Sequence, residues 1–278
     1  GNDAEIFSAY YHITEAGNWE HGNSILLRHE TGESLAKQFN IPVEVLNNTI
    51  DACKKILKPI RDKRIKPGLD DKILSSWNAL MTAGFTHAYR VFGEEKFLTA
   101  AVNNANFLLK NAIAENGEMT RNYKSGRSTI HAMLDDYAFT IAAFIELYQA
   151  TFDEKWLREA GKITAYTLEH FFDPVSGMFF YTNDQYADLV ARKMELSDNV
   201  IPSSNSAMAK NLFLLGHFYG NDEYINMAKQ MLVNVAVDVA RNIYFYANWG
   251  ILQAWLSAPL YEVAILGEDY MNLRQQFD

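Results

Sequence analysis

The sequence predicts an all-α protein built from repeated helical hairpins, and two observations lead to this fold class. The first is the stretch 134–160, where a helix that is apolar on every side is followed, after a very short turn, by an amphipathic helix. A helix that is apolar all round is buried, whereas an amphipathic helix lies at the surface. The second observation is that this pair recurs, at 80–101 and at 208–228.

The three hairpins align on the aromatic residue that opens each outer helix. These anchors are Phe97, Trp156 and Tyr224, and each is followed four residues later by an alanine. A long self-similar period of helix pairs is typical of a repeat architecture, in which each hairpin buries its inner face against its neighbours. We therefore predict adjacent hairpins, each with one inner and one outer helix.

The N-terminal residues, 1–66, are predicted to form a helical segment that precedes the repeats. Helices are expected over residues 3–10, from Glu33, and from residue 43 toward Leu57. Pro59 should stop or kink the last of these, because proline lacks an amide hydrogen and clashes with the preceding turn.

The connections between the hairpins are long, at 111–131 and 172–206, and each contains a predicted strand, at 119–123 and 178–182. Loops of this length in a compact domain usually carry function or interactions. Because hairpins of one handedness repeat, both loops should emerge where the inner helices begin. We expect the functional site at that end.

The repeats are assigned to residues 67–257, with 242–255 as a further inner helix. The apolar, β-branched run 261–267 ends in glycine and predicts a buried strand. Residues 258–278 are therefore assigned to a strand and a tail. The whole chain is predicted to be a single domain with minor β structure in its long loops.

Charge and hydropathy argue against two classes of partner. The formal net charge is −9, which disfavours nucleic acid, because neutralising phosphates requires clustered Lys and Arg. No uninterrupted apolar run approaches the ~18–20 residues of a membrane helix. Neither nucleic acid nor a membrane is expected as a partner.

The chain has a single cysteine, Cys53, which excludes an internal disulfide and favours a reducing, cytoplasmic compartment. There is no phosphate-cradling glycine loop and no Cys/His cluster at metal-ligand spacing. We therefore predict neither a metal nor another cofactor.

Four motifs occur in a fixed order: KPGLDDKIL at 66–74 followed by Trp77-Asn78, LDDYAF at 134–139, IPSSNS at 201–206 and EVAILG at 262–267. Together they resemble the family of spermatogenesis-associated protein 20 and its bacterial relatives, the YyaL-type proteins, over nearly the whole chain. The resemblance implies a thioredoxin-like domain followed by an (α/α)6 toroid of the six-hairpin glycosidase and N-acylglucosamine 2-epimerase type.

This chain has no Cys-x-x-Cys pair, and the resemblance implies that it covers part of the toroid only, as an incomplete arc of hairpins. An open arc exposes apolar surface of its inner helices, which is an interaction hazard. We therefore expect the chain to self-associate. In the full-length protein, the resemblance implies a thioredoxin-like domain as a partner.

The predicted site consists of polar residues where the inner helices begin. Asn78, Tyr137 and Asn205 lie at the same distance before the three anchors and so occupy equivalent places. Carboxylates there would serve as general acid and base, and glycosidic hydrolysis needs two of them at a suitable separation. The acid/base pool is Asp70, Asp71, Asp135, Asp136 and Glu195. Trp77 and Tyr137 form the platform for a sugar, and the further substrate-binding candidates are Asn78, His131, Arg192, Ser203 and Asn205.

Two functions from different classes are compatible with these residues. The first is a carbohydrate-active or carbohydrate-binding toroid with a possible sugar ligand. The second is a non-catalytic scaffold that serves the thioredoxin-like domain. An acidic, aromatic-lined pocket where the inner helices begin would favour the first function. If the carboxylates at this end, here called the mouth, all cap helices, the second function is favoured.

Each candidate also has a structural interpretation. Asp, Ser and Asn before an apolar helix are ordinary N-caps, which applies to Asp135, Asp136, Ser203 and Asn205. Trp77 and Tyr137 are as compatible with core packing as with stacking. Arg192 and Glu195 are most simply a loop ion pair. His87 and His217 lie at non-equivalent places in their helices, so epimerisation by paired histidines is disfavoured.

Overall fold

The computed structural model describes residues 1–186, 191–258, 267, 268 and 273, which are mostly α-helical. The chain forms two compact units, residues 1–70 and 71–278, where the sequence predicted one domain with repeats from residue 67. The segment that joins them has neither helix nor strand over residues 65–72. It contains Pro67-Gly68, and both residues disfavour regular structure.

The first unit is a small cluster of three helices. They are α1 (Asn2–Tyr10), α2 (Gly32–Gln38) and α3 (Val43–Asp62), with a 3-10 turn at Glu20–Gly22. Thr31 caps α2, because its side chain accepts a hydrogen bond from the Ser34 amide at 3.2 Å. The core of this unit consists of Ile6, Phe7, Leu35, Ala36, Leu46 and Ile50.

The predicted stop at Pro59 is wrong, because α3 continues past it to Asp62. Pro59 lies in the last turn of the helix, so its missing amide removes a single backbone hydrogen bond at an exposed position. Helices α1 and α3 also border a cavity of about 650 Å³, which is lined mainly by apolar side chains and by Cys53.

The second unit contains the three predicted hairpins. Their inner helices are α4 (Ser75–Phe92), α6 (Leu134–Thr151) and α8 (Ser204–Tyr219), and their outer helices are α5 (Glu95–Asn111), α7 (Glu154–Phe171) and α9 (Asp222–Arg241). A further inner helix, α10 (Ala247–Ser257), follows a 3-10 turn at Ile243–Phe245. The predicted helix over 242–255 is therefore interrupted at its start.

The inner helices pack side by side in chain order. α6 packs between α4 and α8, α8 also packs on α10, and each outer helix packs on its own inner helix. The Asn211 amide donates to the Ala138 carbonyl at 2.7 Å and so fixes α8 on α6. These contacts confirm that the look-alike stretches are neighbours.

The predicted difference between inner and outer helices is confirmed in the second hairpin. Helix α6 is buried along almost its whole length. Helix α7 buries the face that carries Trp156, Ala160, Ile163, Thr167 and Phe171. Both helices belong to one apolar core that extends through all three hairpins and α10.

Each hairpin turn requires one residue in the left-handed backbone conformation. Gly93, Phe152 and Gly220 hold this place, with φ of 68°, 56° and 63°. Glycine adopts this conformation without steric cost, which explains two of the three turns. In the middle turn Phe152 takes up the conformation instead.

Four short strands order the long loops. β1 (Ile73–Leu74) pairs antiparallel with β2 (Asn122–Tyr123), and β3 (Phe172–Asp173) pairs antiparallel with β4 (Met178–Phe179). The strands predicted at 119–123 and 178–182 are thus present but shorter. Most of the strand predicted at 261–267 lies outside the described residues.

One apolar side of α4 is open to solvent. Trp77, Met81, Val91 and Phe92 are all exposed, and their spacing places Trp77, Met81 and Val91 on one face of the helix. The sequence predicted such an exposed inner-helix surface for an open arc of hairpins.

Two glycine substitutions should change the free energy of unfolding in opposite directions. Gly84→Ala should raise it by about 1 kcal/mol, because Gly84 is exposed within α4 and an added methyl group meets no atom within 4 Å. Gly220→Ala should lower it by about 1 kcal/mol, because its φ of 63° is unfavourable for alanine. Urea denaturation measures both values, and a stabilised Gly220→Ala variant would contradict the assigned turn.

We expect the chain to self-associate through the exposed face of α4. Light scattering should give a mass above that of the 31.7 kDa monomer, and Met81→Lys should shift it toward the monomer. Val175→Lys is the matched control, because Val175 is 94% exposed in the β3–β4 turn. A monomer at all concentrations would refute this expectation.

Candidate functional site

Asp136 joins the N-terminal ends of two inner helices. Its Oδ1 accepts a hydrogen bond from the Ser76 amide in the first turn of α4, at 2.9 Å. Its Oδ2 accepts from the Met133 amide just before α6, at 3.0 Å, and from Arg121 Nη1 at 2.8 Å. The carboxyl group is completely buried. All of its partners are N–H donors, so the geometry fits a carboxylate.

Asp135 completes the group around Arg121. Its Oδ1 accepts from Arg121 Nη1 at 2.8 Å and from the Tyr181 hydroxyl at 3.2 Å, and its Oδ2 accepts from Nη2 at 3.3 Å. The Arg121 backbone is fixed as well, because its carbonyl accepts from the Ser75 amide at 2.9 Å. One guanidinium therefore connects the first long loop to both carboxylates.

Burial raises the pKa of Asp136, and the adjacent Asp135 charge raises it further. The Arg121 guanidinium and the Met133 and Ser76 amides oppose this rise. Burial also raises the pKa of Tyr181, again with a contribution from Asp135. Tyr181 therefore stays protonated and can donate its hydrogen to Asp135.

Asp198 makes the corresponding connection between α8 and α10. Its Oδ1 accepts from the Ser203 amide at 2.9 Å and from the Ser206 hydroxyl at 3.2 Å, and its Oδ2 accepts from the Asn248 amide at 2.8 Å. Also at the start of α8, Glu195 Oε2 accepts a hydrogen bond from the Ser204 amide at 3.2 Å.

A cavity of about 460 Å³ opens where α8 and α10 begin. It is called the rim cavity and is lined by residues 198–202 and by Tyr244, Phe245, Ala247 and Asn248. Tyr244 is 82% exposed and meets Phe245 edge to face, with the ring centroids 5.0 Å apart. The Asp198 amide donates to the Phe245 carbonyl at 2.7 Å, which joins the two sides of the cavity.

Three predicted substrate-binding residues lie inside the protein. Tyr137 is 1% exposed, its ring is parallel to that of Tyr166, and its hydroxyl accepts from the Met119 amide at 2.9 Å. Asn205 is completely buried and binds the backbone of Phe179 through both ends of its amide. Ser203 caps α8. Core packing accounts for Tyr137 and capping accounts for Ser203, whereas Asn205 is not the N-cap of α8 and instead binds the backbone of β4.

The residues of the first motif are more accessible. Trp77 is 66% exposed, so it is not a core residue, and Asn78 is half-buried and donates to the Leu74 carbonyl at 2.8 Å. Asp71 is exposed and forms an ion pair with Lys124. Asp70 is the last residue of the first unit and is also exposed.

The predicted ion pair between Arg192 and Glu195 is not formed. Arg192 instead donates to the carbonyl groups of Thr182 and His170 and stacks on the Phe180 ring, 4.2 Å from its centroid. Arg192 is thus bound by a carbonyl of its own loop and by one at the end of α7, and Glu195 is engaged at the start of α8.

His131 has partners that the sequence did not identify. Its ring stacks on Tyr186 with the centroids 3.6 Å apart, and its Nδ1 lies 3.3 Å from Glu118 Oε1.

His87 pairs with Glu146 at 3.0 Å, whereas His217 packs edge-on against Phe213. The two inner-helix histidines thus have different surroundings.

Several site residues were missed from the sequence. Arg121 was placed only in a predicted strand, and Tyr181 in another. Tyr244, Phe245 and Asn248 could have been found by inspecting the start of the fourth inner helix in the same way as the other three. Their signal is a polar and aromatic cluster, YFYANW, at the start of an apolar helix.

Among the described residues, no group of three or more His, Cys, Asp or Glu side chains is arranged to hold a metal ion. None of the helices in the described part of the chain has the length and apolar character to cross a bilayer.

The fold is that of the α/α-toroid class. A solved α-mannanase of glycoside hydrolase family 76 from Bacteroides thetaiotaomicron superposes with a TM-score of 0.50 and 16% identity. The match covers 62% of this chain and 46% of that one. The predicted toroid architecture is thereby confirmed, and carbohydrate-processing enzymes share it.

The particular relatives agree with the resemblance seen in the motifs. The chain is 28% identical over 241 residues to spermatogenesis-associated protein 20 of Rattus norvegicus, which is 80% of this chain and 30% of that protein. An uncharacterised protein of Caenorhabditis elegans is 28% identical over 243 residues, or 81% and 33%. The chain therefore spans about a third of the length of these relatives. No protein-family model matches it.

Removing the charge of Asp136 should destabilise the second unit strongly. Asp136→Asn should lower the free energy of unfolding by about 3 kcal/mol, because it places an amide group against N–H donors and leaves Arg121 with less charge compensation. Asp71→Asn is the matched control and should have little effect, since its ion pair with Lys124 is exposed. Equal losses in urea denaturation would contradict the role of Asp136.

Proposed function

We propose that the chain is a carbohydrate-binding domain whose ligand occupies the rim cavity. The composition of the cavity lining carries this proposal. Tyr244 and Phe245 offer aromatic surface, while Asn199, Asn248 and Asp198 contribute polar groups. Ligand sites of ~300–1,000 Å³ with apolar walls and a few placed polar groups are typical of small-molecule binding. An exposed aromatic ring can stack on the apolar face of a sugar.

The position of the cavity supports the same proposal. It lies where inner helices begin, which is the end that the long loops led us to expect. The α-mannanase shares the fold and acts on a carbohydrate. That likeness is one of fold, so the argument for binding depends on the residues of the cavity.

We propose binding without assigning a reaction. A glycosidase needs two carboxyl groups on opposite sides of the scissile bond, about 5–10 Å apart. Asp135 and Asp136 instead bind the same guanidinium and are buried. Asp70, Asp71 and Glu195 stay candidates for acid or base, and Trp77 for a second stacking surface.

The second candidate function is a scaffold for a thioredoxin-like domain of the longer protein. It is favoured by one observation, namely that Asp136, Asp198 and Glu195 all bind helix amides. Carboxylates used in this way hold the fold together. In this case the exposed residues of the mouth would contact the partner domain.

The binding of a sugar panel tests the proposal directly. We expect at least one of α-mannotriose, cellotriose and trigalacturonate to bind the chain. With the sugar at millimolar concentration, binding should be seen as saturation-transfer NMR signals of that sugar. Tyr244→Ala should weaken the binding about tenfold, because it removes the most exposed aromatic ring of the rim.

Phe92→Ala is the matched control for this substitution. Phe92 is an exposed aromatic residue at the C-terminal end of α4, so its removal should leave sugar binding unchanged. If no member of the panel binds, the carbohydrate proposal fails. Binding of the thioredoxin-like domain alone would then favour the scaffold.

A further inference from the structure

We infer that the rim cavity binds an uncharged saccharide, to which Asn248 donates a hydrogen bond, and that Lys210 is the residue that positions Asn248. This inference rests on the proposed function, because it concerns the ligand of the same cavity. Lys210 lies on α8, and its Nζ contacts Asn248 Oδ1 at 2.7 Å.

The contact with Lys210 determines which end of the Asn248 amide is presented. A lysine ammonium group only donates, so the atom facing it must be the amide oxygen. The nitrogen Nδ2 is then the remaining polar atom of the side chain, and it has no partner among the described residues. Asn248 is one of the residues that line the cavity, whereas Lys210 is not. In this inference Nδ2 is the donor to the ligand.

The backbone of Asn248 is fixed at the same time. Its amide donates to Asp198 Oδ2 at 2.8 Å, and the neighbouring Trp249 is buried and donates through its indole to the Leu196 carbonyl at 2.8 Å. With both the backbone and the amide oxygen held, the side chain needs no reorganisation to donate. Such preorganisation increases affinity.

Charge around the cavity favours a neutral ligand. Asp198 lines the cavity, and its carboxylate already occupies amides at the starts of α8 and α10, while Glu195 occupies another amide of α8. The positive ends of these helices are therefore compensated within the protein. An anionic sugar would meet the Asp198 carboxylate, and no Lys, Arg or His is among the described residues that line the cavity.

Lys210 does not supply that positive group. Burial lowers the pKa of Lys210, and the charges of Asp198 and Glu146 oppose the decrease, so two carboxylates of the protein act on its ammonium group. Within the described part of the chain, its Nζ donates a hydrogen bond to Asn248. Lys210 is thus partly buried and contacts a lining residue, Asn248, without lining the cavity itself.

The test compares neutral with acidic probes and then uses a double-mutant cycle. Among α-mannotriose, cellotriose, trigalacturonate and glucose 6-phosphate, a neutral trisaccharide should bind at least about tenfold more tightly than either acid. Tighter binding of an acid would overturn the inference and leave the proposed function standing. The absence of any binding would refute the proposed function, and the inference with it.

Lys210→Met and Asn248→Ala should each weaken binding of the neutral probe about tenfold. Lys210→Met should have no further effect in the Asn248→Ala background, because Lys210 acts through Asn248. Lys210→Arg, which keeps a donor, should restore part of the affinity.

Additive losses in the double mutant would show that Lys210 affects the cavity by some other route and would overturn its positioning role. Thermal unfolding of each variant identifies losses that come from misfolding. Where Lys210→Met unfolds, the affinity of Lys210→Arg for the neutral probe is compared with that of the unaltered chain instead.

Discussion

The fold of the second unit depends on carboxylates that bind the free amides where its inner helices begin. The first amides of an α-helix lack partners within the helix and carry a partial positive charge. Asp136 accepts from an amide in the first turn of α4 and from the amide just before α6, and Asp198 accepts from the amide just before α8 and from one in the first turn of α10. Each carboxylate therefore caps one helix and also fixes the distance and direction of its neighbour. The long loops are held at the same end because Arg121 and Glu195 belong to these contacts.

This arrangement separates the rigid part of the inner-helix ends from the accessible part. Asp135, Asp136, Asn205 and Ser203 are buried and form their hydrogen bonds within the protein. Exposed aromatic and amide groups lie beside this frame, at Tyr244 and around the rim cavity. A ligand would contact the second group, while the first holds it in place.

The sequence predicted the hairpins, the inner and outer roles of their helices and the end at which the loops gather. These features follow from periodicity and turn residues, which are local. The sequence could not show that Asp136 binds Ser76, because that contact depends on how two repeats pack. For the same reason Tyr137 looked available, although its ring lies against Tyr166 and Phe171 from the following helix. Arg192 and Glu195 are close in sequence, yet carbonyls and a helix start compete for them.

The most direct test of the account is native-state hydrogen exchange of the amides at Ser76, Met133, Ser203 and Asn248. These amides lie at helix starts, where exchange is normally fast. If buried carboxylates bind them as described, they should exchange only when the second unit unfolds globally, as slowly as the interior of α6. Exchange at these four positions orders of magnitude faster than in α6 would contradict the account.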